Sequence, residues 1–363
     1  MAVVLLILGI LLFIGLVVFH EFGHFMAARH NGVTVEEFGI GFPPRAWGRQ
    51  TKKGFLFSIN WLPIGGFVRL KGENDAATEK GSFGAAPFKV KGKIMLAGVA
   101  LNLLAAFVIF TVLAWVGMPQ ILDNQYRVAS DTKVVHQELL IAYVQPGSPA
   151  AKAGLHDQDQ LLSVAGQTVK SAAQLPLVTK AHAGQTIAVM YERGGAVSTA
   201  NVHLRTEAQA KGSAYLGLSP SEYTLTRATW SAPVQSLGLM WQFTTATFKG
   251  LGVAIGALFQ GDTATASEQV SGPVGIFWVL RQGSLVGYQF VLLIIGAVSL
   301  SLAIMNVLPI PALDGGRFYV LLLSRAFGKK LSQEMEERIV GASFVFLLVL
   351  IALITIVDVK RFF

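Results

Sequence analysis

Residues 1–24 read MAVVLLILGILLFIGLVVFHEFGH. The stretch 1–19 carries no charged side chain, and His20, Glu21 and His24 follow it directly. As a helix, this run rises about 1.5 Å per residue and measures roughly 27 Å, which is enough to cross the hydrocarbon core of a bilayer. A secretory signal peptide is the alternative. It is disfavoured because the run has neither a basic n-region nor a small-x-small cleavage site.

Three further runs of comparable length are free of charge: residues 94–118, 282–313 and 339–357. Only Asn102 and Thr111 interrupt the first of them. Because a spanning helix needs about 20 mostly apolar residues, the sequence predicts a polytopic α-helical membrane protein with four transmembrane helices.

The overall composition agrees with a membrane protein. Of the 363 residues, 53% are hydrophobic and 14% are charged, whereas a soluble domain has about 25% charged residues. These values exclude a disordered chain and an ordinary soluble enzyme. Cysteine is absent, which excludes a disulfide framework, a zinc ribbon and a thiol nucleophile. Any metal site must therefore use His, Asp or Glu.

The net charge of +8 indicates orientation in a membrane. Segment 28–93 contains eleven Lys and Arg residues against five acids, and cytoplasmic loops carry such an excess. We therefore expect this segment in the cytoplasm, and the N-terminus and residues 126–226 on the outer side. The charge gives no reason to expect nucleic acid as a partner.

Two other segments differ from the spanning runs. Residues 228–261 hold one charged residue, Lys249, and mix large aromatic side chains with many Thr, Ser and Gln residues, which indicates an amphipathic helix at the membrane surface. Residues 126–226 contain alternating strands and Pro-Gly and Gly-Gly turns, which predict one inserted β-rich domain. A short helix in this domain is expected to end at Gly154.

The residues that carry chemistry are His20-Glu21-Phe22-Gly23-His24. On a helix, positions i and i+4 share one face, so the two imidazoles can reach one metal ion. Glu21 lies beside them as a candidate general base. A pair of surface histidines is the alternative, and the position directly after a spanning run argues against it.

A catalytic zinc usually has three protein ligands, and Asp314 is the candidate for the third. It follows the third long run, in a stretch 306–316 with two prolines and two glycines that cannot continue a regular helix. The alternative is an ordinary Asp-Gly turn. If segment 228–261 crossed the membrane, Asp314 would end on the side opposite the histidines, so the ligand prediction requires four spans.

At this point the sequence resembles a known family. H-E-F-G-H after a first membrane helix, and N-x-x-P-x-P-x-x-D-G-G after a late one, resemble the site-2 proteases, which are intramembrane zinc metalloproteases. The resemblance is closest to the bacterial regulator of sigma-E protease (RseP) group. Further stretches that resemble this group are 39–42, 63–70 and 271–275.

The resemblance implies a Zn²⁺ cofactor held by His20, His24 and Asp314, with Glu21 as the catalytic base. It also implies that Asn306 binds the substrate backbone.

The resemblance also implies a membrane-reentrant β-hairpin at about 55–72 on the cytoplasmic side. Its alternation fits a strand whose free edge can pair with an unwound substrate. A plain membrane-surface loop is the alternative. The residues expected to bind substrate are Gly65, Gly66, Phe67, Val68 and Arg69.

The β-rich domain resembles PDZ domains through residues 144–155, VQPGSPAAKAGL. It departs from the PDZ pattern at Gln158-Asp159, where Gly-Asp is usual. The related group usually carries two such domains, and this chain has room for one. In this family the domain is thought to act as a size filter for substrates.

The leading hypothesis is an intramembrane zinc endopeptidase of regulated intramembrane proteolysis. It would cut transmembrane segments of single-pass proteins, such as anti-sigma factors or remnant signal peptides. The alternative is a PDZ-containing membrane scaffold with an inactive or structural metal site.

We expect a monomer in contact with membrane lipid, in a bacterial inner membrane, with its PDZ-like domain periplasmic and its active site toward the cytoplasm. The expected divisions are 1–118 and 284–363 for the two halves of the protease core, 126–226 for the PDZ-like domain and 228–261 for the surface helix.

Overall fold

The computed structural model describes residues 1–74, 76–122, 124–210, 214–328 and 332–362, with backbone only at residues 63 and 64. Contacts divide the chain into two compact units. The first unit comprises 1–113 and 232–363, and the second comprises 114–231.

Both units contain helices and strands within these described ranges. The helices are α1 (Ala2–His30), α2 (Phe88–Val116), α3 (Pro149–Lys152), α4 (Gln174–Ala181), α5 (Glu207–Ala210), α6 (Ala232–Phe259), α7 (Thr263–Glu268), α8 (Pro273–Val286), α9 (Tyr288–Val307), α10 (Asp314–Ala326) and α11 (Gln333–Phe362). The strands are β1 (Val35–Gln50), β2 (Leu56–Leu70), β3 (Met118–Pro119), β4 (Lys133–Val144), β5 (Gln160–Val164), β6 (Gln167–Thr168), β7 (Thr186–Arg193), β8 (Ala196–His203) and β9 (Leu218–Arg227).

Four helices are long and apolar enough to cross a membrane: α1, α2, α9 and α11. The prediction of four membrane-length helices is therefore confirmed. The segment predicted as an amphipathic helix does form a helix, α6, of 28 residues. Within the described part of the chain, α6 is not among the helices apolar enough to span.

The charge-free run 282–313 contains more than one helix. Gly287 ends α8 with a φ of 152°, a backbone conformation that favours glycine, and α9 begins directly after it. At the other end, Pro309 and Pro311 follow the last turn of α9 and prevent its continuation. The chain then restarts as α10 at Asp314.

Strands β1 and β2 pair antiparallel and fold back on themselves. Gly39 pairs with Phe67 on one side and with Ser58 on the other, and Ser58 also pairs with Gly48. The two long strands therefore build four segments of sheet. The order across this sheet is 45–50, 56–60, 37–40 and 66–70. Segment 66–70 is an edge, because no strand in the described part of the chain pairs with its outer side.

A buried carboxylate holds this sheet together. Glu37 is 3% exposed and accepts a hydrogen bond of 2.7 Å from the hydroxyl of Ser58. The guanidinium groups of Arg45 and Arg69 also donate to it, from segments that lie apart in the chain. Because a buried charge is tolerated when it is paired and hydrogen-bonded, this cluster links segments 37–40, 45–50, 56–60 and 66–70 into one element.

The second unit is built on a seven-stranded sheet with the order β3-β9-β4-β5-β7-β8, and β6 pairs with β5. Helix α3 has Ser148 as its N-cap and is followed by Gly154 at φ 78°, as the sequence predicted. Gln158 lies in the left-handed region at φ 70°. The core of this unit includes Leu139, Ile141, Leu161, Val164, Val189, Val202 and Leu204.

Candidate metal centre and active site

Helix α1 carries the two predicted histidines and the glutamate in its second half. His20 and His24 are one turn apart, so they lie on the same face of the helix. Their ring centroids are 4.8 Å apart and the rings meet edge to face. The Nε2 atoms of the two rings are separated by 3.2 Å, so both nitrogens point toward one position.

Asp314 supplies a third group at this position. Its Oδ2 atom lies 3.0 Å from Nε2 of His20 and 3.1 Å from Nε2 of His24. The carboxylate oxygen of Asp314 therefore faces the same position as the two imidazole nitrogens.

These three residues fit a zinc ion. Their candidate ligand atoms all lie within 4.8 Å of one another. Ligands about 2.0–2.1 Å from a tetrahedral zinc lie roughly 3.3 Å apart, and the observed separations of 3.0, 3.1 and 3.2 Å are close to that value. Two imidazoles and one carboxylate are a zinc donor set that leaves the fourth position open.

The break before α10 brings Asp314 to the histidines, and two glycines make this break possible. An added Cβ atom on Gly316 would lie 1.8 Å from the carbonyl oxygen of Ile310, and one on Gly315 would lie 2.5 Å from that of Val307. Only glycine allows this close approach of backbone to backbone. The Asp-Gly-Gly sequence thus has a steric reason.

Helix α2 packs against the histidines through every fourth residue. The Nδ1 atom of His24 lies 2.7 Å from the carbonyl oxygen of Ile94, and Nδ1 of His20 lies 3.2 Å from the amide of Asn102. Between these two residues, Gly98 has no side chain, which leaves room for both rings. The sequence did not predict this face, because the spacing of 94, 98 and 102 shows only that these residues share one side of an apolar helix.

Glu21 lies beside the cluster. It lines a cavity of about 100 Å³ together with His24 and Asp314. The edge segment of the small sheet approaches Glu21 closely, because an added Cβ atom on Gly66 would lie 3.1 Å from its Cγ atom. The same cavity is lined by Val68. The structure therefore brings the predicted base, two ligands and two of the predicted substrate-binding residues together.

The other predicted hairpin residues have different surroundings. The Phe67 ring lies over Gly39, where an added Cβ atom would come within 2.4 Å of it. Gly65 has a φ of 93° and lies against the Phe42 ring. The guanidinium of Arg69 pairs with the buried carboxylate of Glu37 in the neighbouring segment of the same sheet.

Asn306, predicted to bind substrate, lies in the last turn of α9. Its Nδ2 atom donates a hydrogen bond of 3.0 Å to the carbonyl oxygen of Leu302 in the same helix.

An ion pair that the sequence did not predict borders the cavity. Arg317 is one helical turn after Asp314, and its guanidinium donates to the Oε1 atom and to the backbone carbonyl of Glu73, both at 3.0 Å. Both residues line the cavity that holds Glu21.

Four membrane-length helices, together with a His-His-Asp cluster and an adjacent glutamate, are the features of a membrane metallohydrolase. The sequence matches peptidase family M50 over residues 8–350, and the chain belongs to this family. The predicted membership of the site-2 proteases is thereby confirmed, and the protein is a zinc metalloprotease.

Individual relatives agree with this assignment. A predicted zinc metalloprotease of Clostridium perfringens is 28% identical over 356 residues, which is 98% of each chain. A predicted protease of Enterococcus faecalis, named eep, is 26% identical over 435 aligned positions, which cover 96% of this chain and 97% of that protein. Among solved structures, the PDZ domain of an SdrC-like protein from Listeria monocytogenes aligns with a TM-score of 0.22 and 25% identity. That alignment covers 24% of this chain and 92% of that domain.

Proposed function

We propose that this zinc metalloprotease cuts peptide bonds within transmembrane segments of single-pass membrane proteins. Anti-sigma factors and remnant signal peptides are the expected substrate types, and the process is regulated intramembrane proteolysis. The observation that carries the proposal is the convergence of Asp314 with His20 and His24 beside Glu21. The two histidines and Glu21 belong to α1, a helix apolar enough to span. Ionisable groups at such depth are costly and mark functional sites.

In the proposed mechanism, His20, His24 and Asp314 hold the zinc ion. When bound there, zinc supplies a Lewis acid that polarises the scissile carbonyl and makes water a stronger acid. Glu21 takes a proton from the attacking water and delivers it to the nitrogen of the leaving amine. Its position in the cavity with His24 and Asp314 supports this role.

The substrate must be extended before water can attack it, because a helix hides its peptide bonds in its own hydrogen bonds. We propose that segment 66–70 pairs with the extended substrate by strand addition. The outer side of this segment, with which no described strand pairs, and the close approach of Gly66 to Glu21 support this arrangement. Asn306 would turn its amide from Leu302 to the substrate backbone.

The sheet exposes several large apolar side chains near its bends, which supports a hairpin that enters the membrane. The large side chains at the bends of both strands are exposed, and no acidic residue accompanies them between 40 and 50 or between 56 and 65. Exposed aromatic groups suit the membrane interface. The residues concerned are Phe42, Trp47, Ile59, Trp61 and Leu62.

The remaining parts of the proposal concern location and access. The excess of Lys and Arg in 28–93 supports a cytoplasmic position for the active-site side and a periplasmic position for the PDZ-like domain in an inner membrane. Helix α6 would lie at the membrane surface. The PDZ-like domain would exclude substrates with a bulky outer portion, and the enzyme would act as a monomer.

The test uses the full chain in liposomes with zinc and a model single-pass substrate. We expect the wild type to cut within the transmembrane segment and Glu21→Gln to lose activity by several orders of magnitude. Glu36→Gln, an exposed change of the same type, is the control. Equal cleavage by wild type and Glu21→Gln would overturn the mechanism. Substrate binding without cleavage by either protein would favour the membrane scaffold.

A further inference from the structure

Asn102 is a buried polar residue on α2 that the proposed mechanism does not use. The residue is 1% exposed, and its Nδ2 atom lies 3.2 Å from Nδ1 of His20. Its other amide atom, Oδ1, is buried and has no hydrogen-bond partner among the residues that the structure describes. A buried polar atom of this kind costs free energy and calls for an explanation.

The explanation lies in the proton of the His20 ring. A neutral imidazole carries one proton, and the ring nitrogen that holds a metal ion must be the unprotonated one. If Nε2 of His20 faces zinc and Asp314, then Nδ1 carries the proton and needs an acceptor. Ligating histidines nearly always donate this second N–H to a carbonyl, carboxylate or water, which fixes the ring.

His24 already has such an acceptor, since its Nδ1 atom lies 2.7 Å from the carbonyl oxygen of Ile94. At His20 the corresponding neighbour is the amide of Asn102. An amide has a donor end and an acceptor end of nearly the same shape. A half-turn about the Cβ–Cγ bond would bring the uncommitted Oδ1 atom to the place of Nδ2, opposite Nδ1 of His20.

We infer that Asn102 is a positioning residue for the zinc ligand His20. Its Oδ1 atom accepts the Nδ1–H of His20, which leaves Nε2 unprotonated and aimed at the ion. The half-turn places Nδ2 where the unpartnered Oδ1 now lies, so it exchanges one unpartnered amide atom for the other, and the proton on Nδ1 of His20 decides which end of the amide faces the ring. This inference rests on the proposed zinc site, and its effect is on metal affinity.

The experiment measures the zinc dissociation constant of the full-length protein in detergent by competition with a chromophoric chelator. Asn102→Leu removes both amide ends, and Asn102→Asp keeps an acceptor oxygen. Thr111→Val is the matched control, since Thr111 is also buried in α2 and donates to its own helix at Phe107. His20→Ala tests the zinc site itself.

We expect Asn102→Leu to weaken zinc binding by about 10–100-fold, the usual effect of losing such a partner, and Asn102→Asp to stay within about threefold of the wild type. Thr111→Val should bind zinc as the wild type does. Wild-type affinity in Asn102→Leu would overturn the inference, as would an equal loss in Asn102→Asp or in Thr111→Val. If His20→Ala also retains wild-type affinity, the proposed zinc site fails rather than the role of Asn102 alone.

Discussion

An added Cβ atom on Gly98 would lie 2.5 Å from Nε2 of His24. The same atom would lie 2.6 Å from Cε1 of His20, so the α2 backbone is in direct contact with both rings. We expect Gly98→Ala to displace the imidazoles from Asp314 and to lower zinc occupancy at least about tenfold, the scale expected for disturbed ligand support. Zinc content after dialysis measures this effect.

The control for this prediction is a glycine in open surroundings. Apart from its chain neighbours and the backbone of its own helix, no described atom lies within 4 Å of a Cβ atom built on Gly15, and alanine is the better helix former by about 1 kcal/mol. Gly15→Ala should therefore keep full zinc content. If Gly98→Ala also keeps it, with unchanged circular dichroism, then the rings are not confined by α2 as the structure indicates.

The sequence predicted some of the residues at this site and not others, and each outcome has a physical reason. The pairing of His20 with His24 is local helix geometry, so the motif predicted it. Asp314 is 290 residues beyond His24. Its place beside the histidines could be predicted only from the number of membrane crossings, which decides the side of the membrane on which it lies. The α2 face was not predictable, because α2 is apolar around most of its circumference and periodicity cannot choose the face that meets the site.

The small sheet was also predicted only in part. Alternation in the sequence predicts extended strands, but each strand here bends and contributes twice to the sheet. The bends depend on backbone conformations, such as φ 79° at Gly41 and φ 93° at Gly65. Glycine permits these conformations without requiring them. Pairing at long range then selects them.

The C-terminal helix offers a second prediction. Asp358 is 1% exposed near the end of α11, and its Oδ2 atom accepts hydrogen bonds of 2.8 Å from the backbone N–H groups of Gly272 and Gly275. It therefore caps α8 from a distant part of the chain. We expect Asp358→Leu to destabilise the protein by about 1–3 kcal/mol, because the N–H groups lose their acceptor.

Thermal unfolding of the detergent-solubilised protein measures this loss. Asp358→Asn retains an amide oxygen that can accept both hydrogen bonds, so it should retain most of the stability. An unfolding temperature of Asp358→Leu equal to that of the wild type would show that α11 is not fastened to α8 by this carboxylate.

The third prediction concerns Gln158, the residue at which the sequence departs from the PDZ pattern. It adopts φ 70° in the position where glycine is usual, and the left-handed region costs an L-residue about 1–2 kcal/mol. Replacing Gln158 by glycine would remove this cost. The greater conformational freedom of glycine in the unfolded chain would offset part of the stability gained. We expect Gln158→Gly to raise the free energy of unfolding of residues 114–231 by about 0.5–1 kcal/mol.

Native-state hydrogen exchange of the full chain measures this local stability. Gln160→Gly is the matched control, because Gln160 begins strand β5 and glycine in a strand is destabilising by about 0.5–1 kcal/mol. Faster exchange in both variants would contradict the strain assigned to Gln158.

A fourth prediction concerns pH. Burial by itself raises the pKa of Asp159, but hydrogen bonds from the Arg193 guanidinium and from the His156 N–H outweigh it and hold this pKa below its usual value. The unfolded chain then binds the proton more readily than the folded one. The contribution of Asp159 to stability is therefore present above about pH 4, its unfolded pKa, and is lost as the pH falls through the lower folded pKa.

The measurement compares the wild type with Asp159→Asn by hydrogen exchange of residues 114–231 over a pH series, with each rate corrected for intrinsic exchange at that pH. At neutral pH the wild type should be the more stable protein, and the difference should narrow below about pH 4. A difference that stays constant down to about pH 2 would mean that the Asp159 carboxylate is not the source of the stability.

The last prediction connects the buried carboxylate of Glu37 with substrate cleavage. Glu37 binds Ser58 and the guanidinium groups of Arg45 and Arg69, and Arg69 lies in the edge segment 66–70 that is proposed to bind substrate. Glu37→Gln removes the charge that the two arginines share, so the edge should lose its fixed position. We expect cleavage of the model substrate, as kcat/KM, to fall by about 10–100-fold, a loss of roughly 1.4–2.7 kcal/mol, with unchanged zinc content. Glu36→Gln, at the exposed neighbouring position, should cleave as the wild type does. Full activity of Glu37→Gln would show that this cluster does not position the substrate.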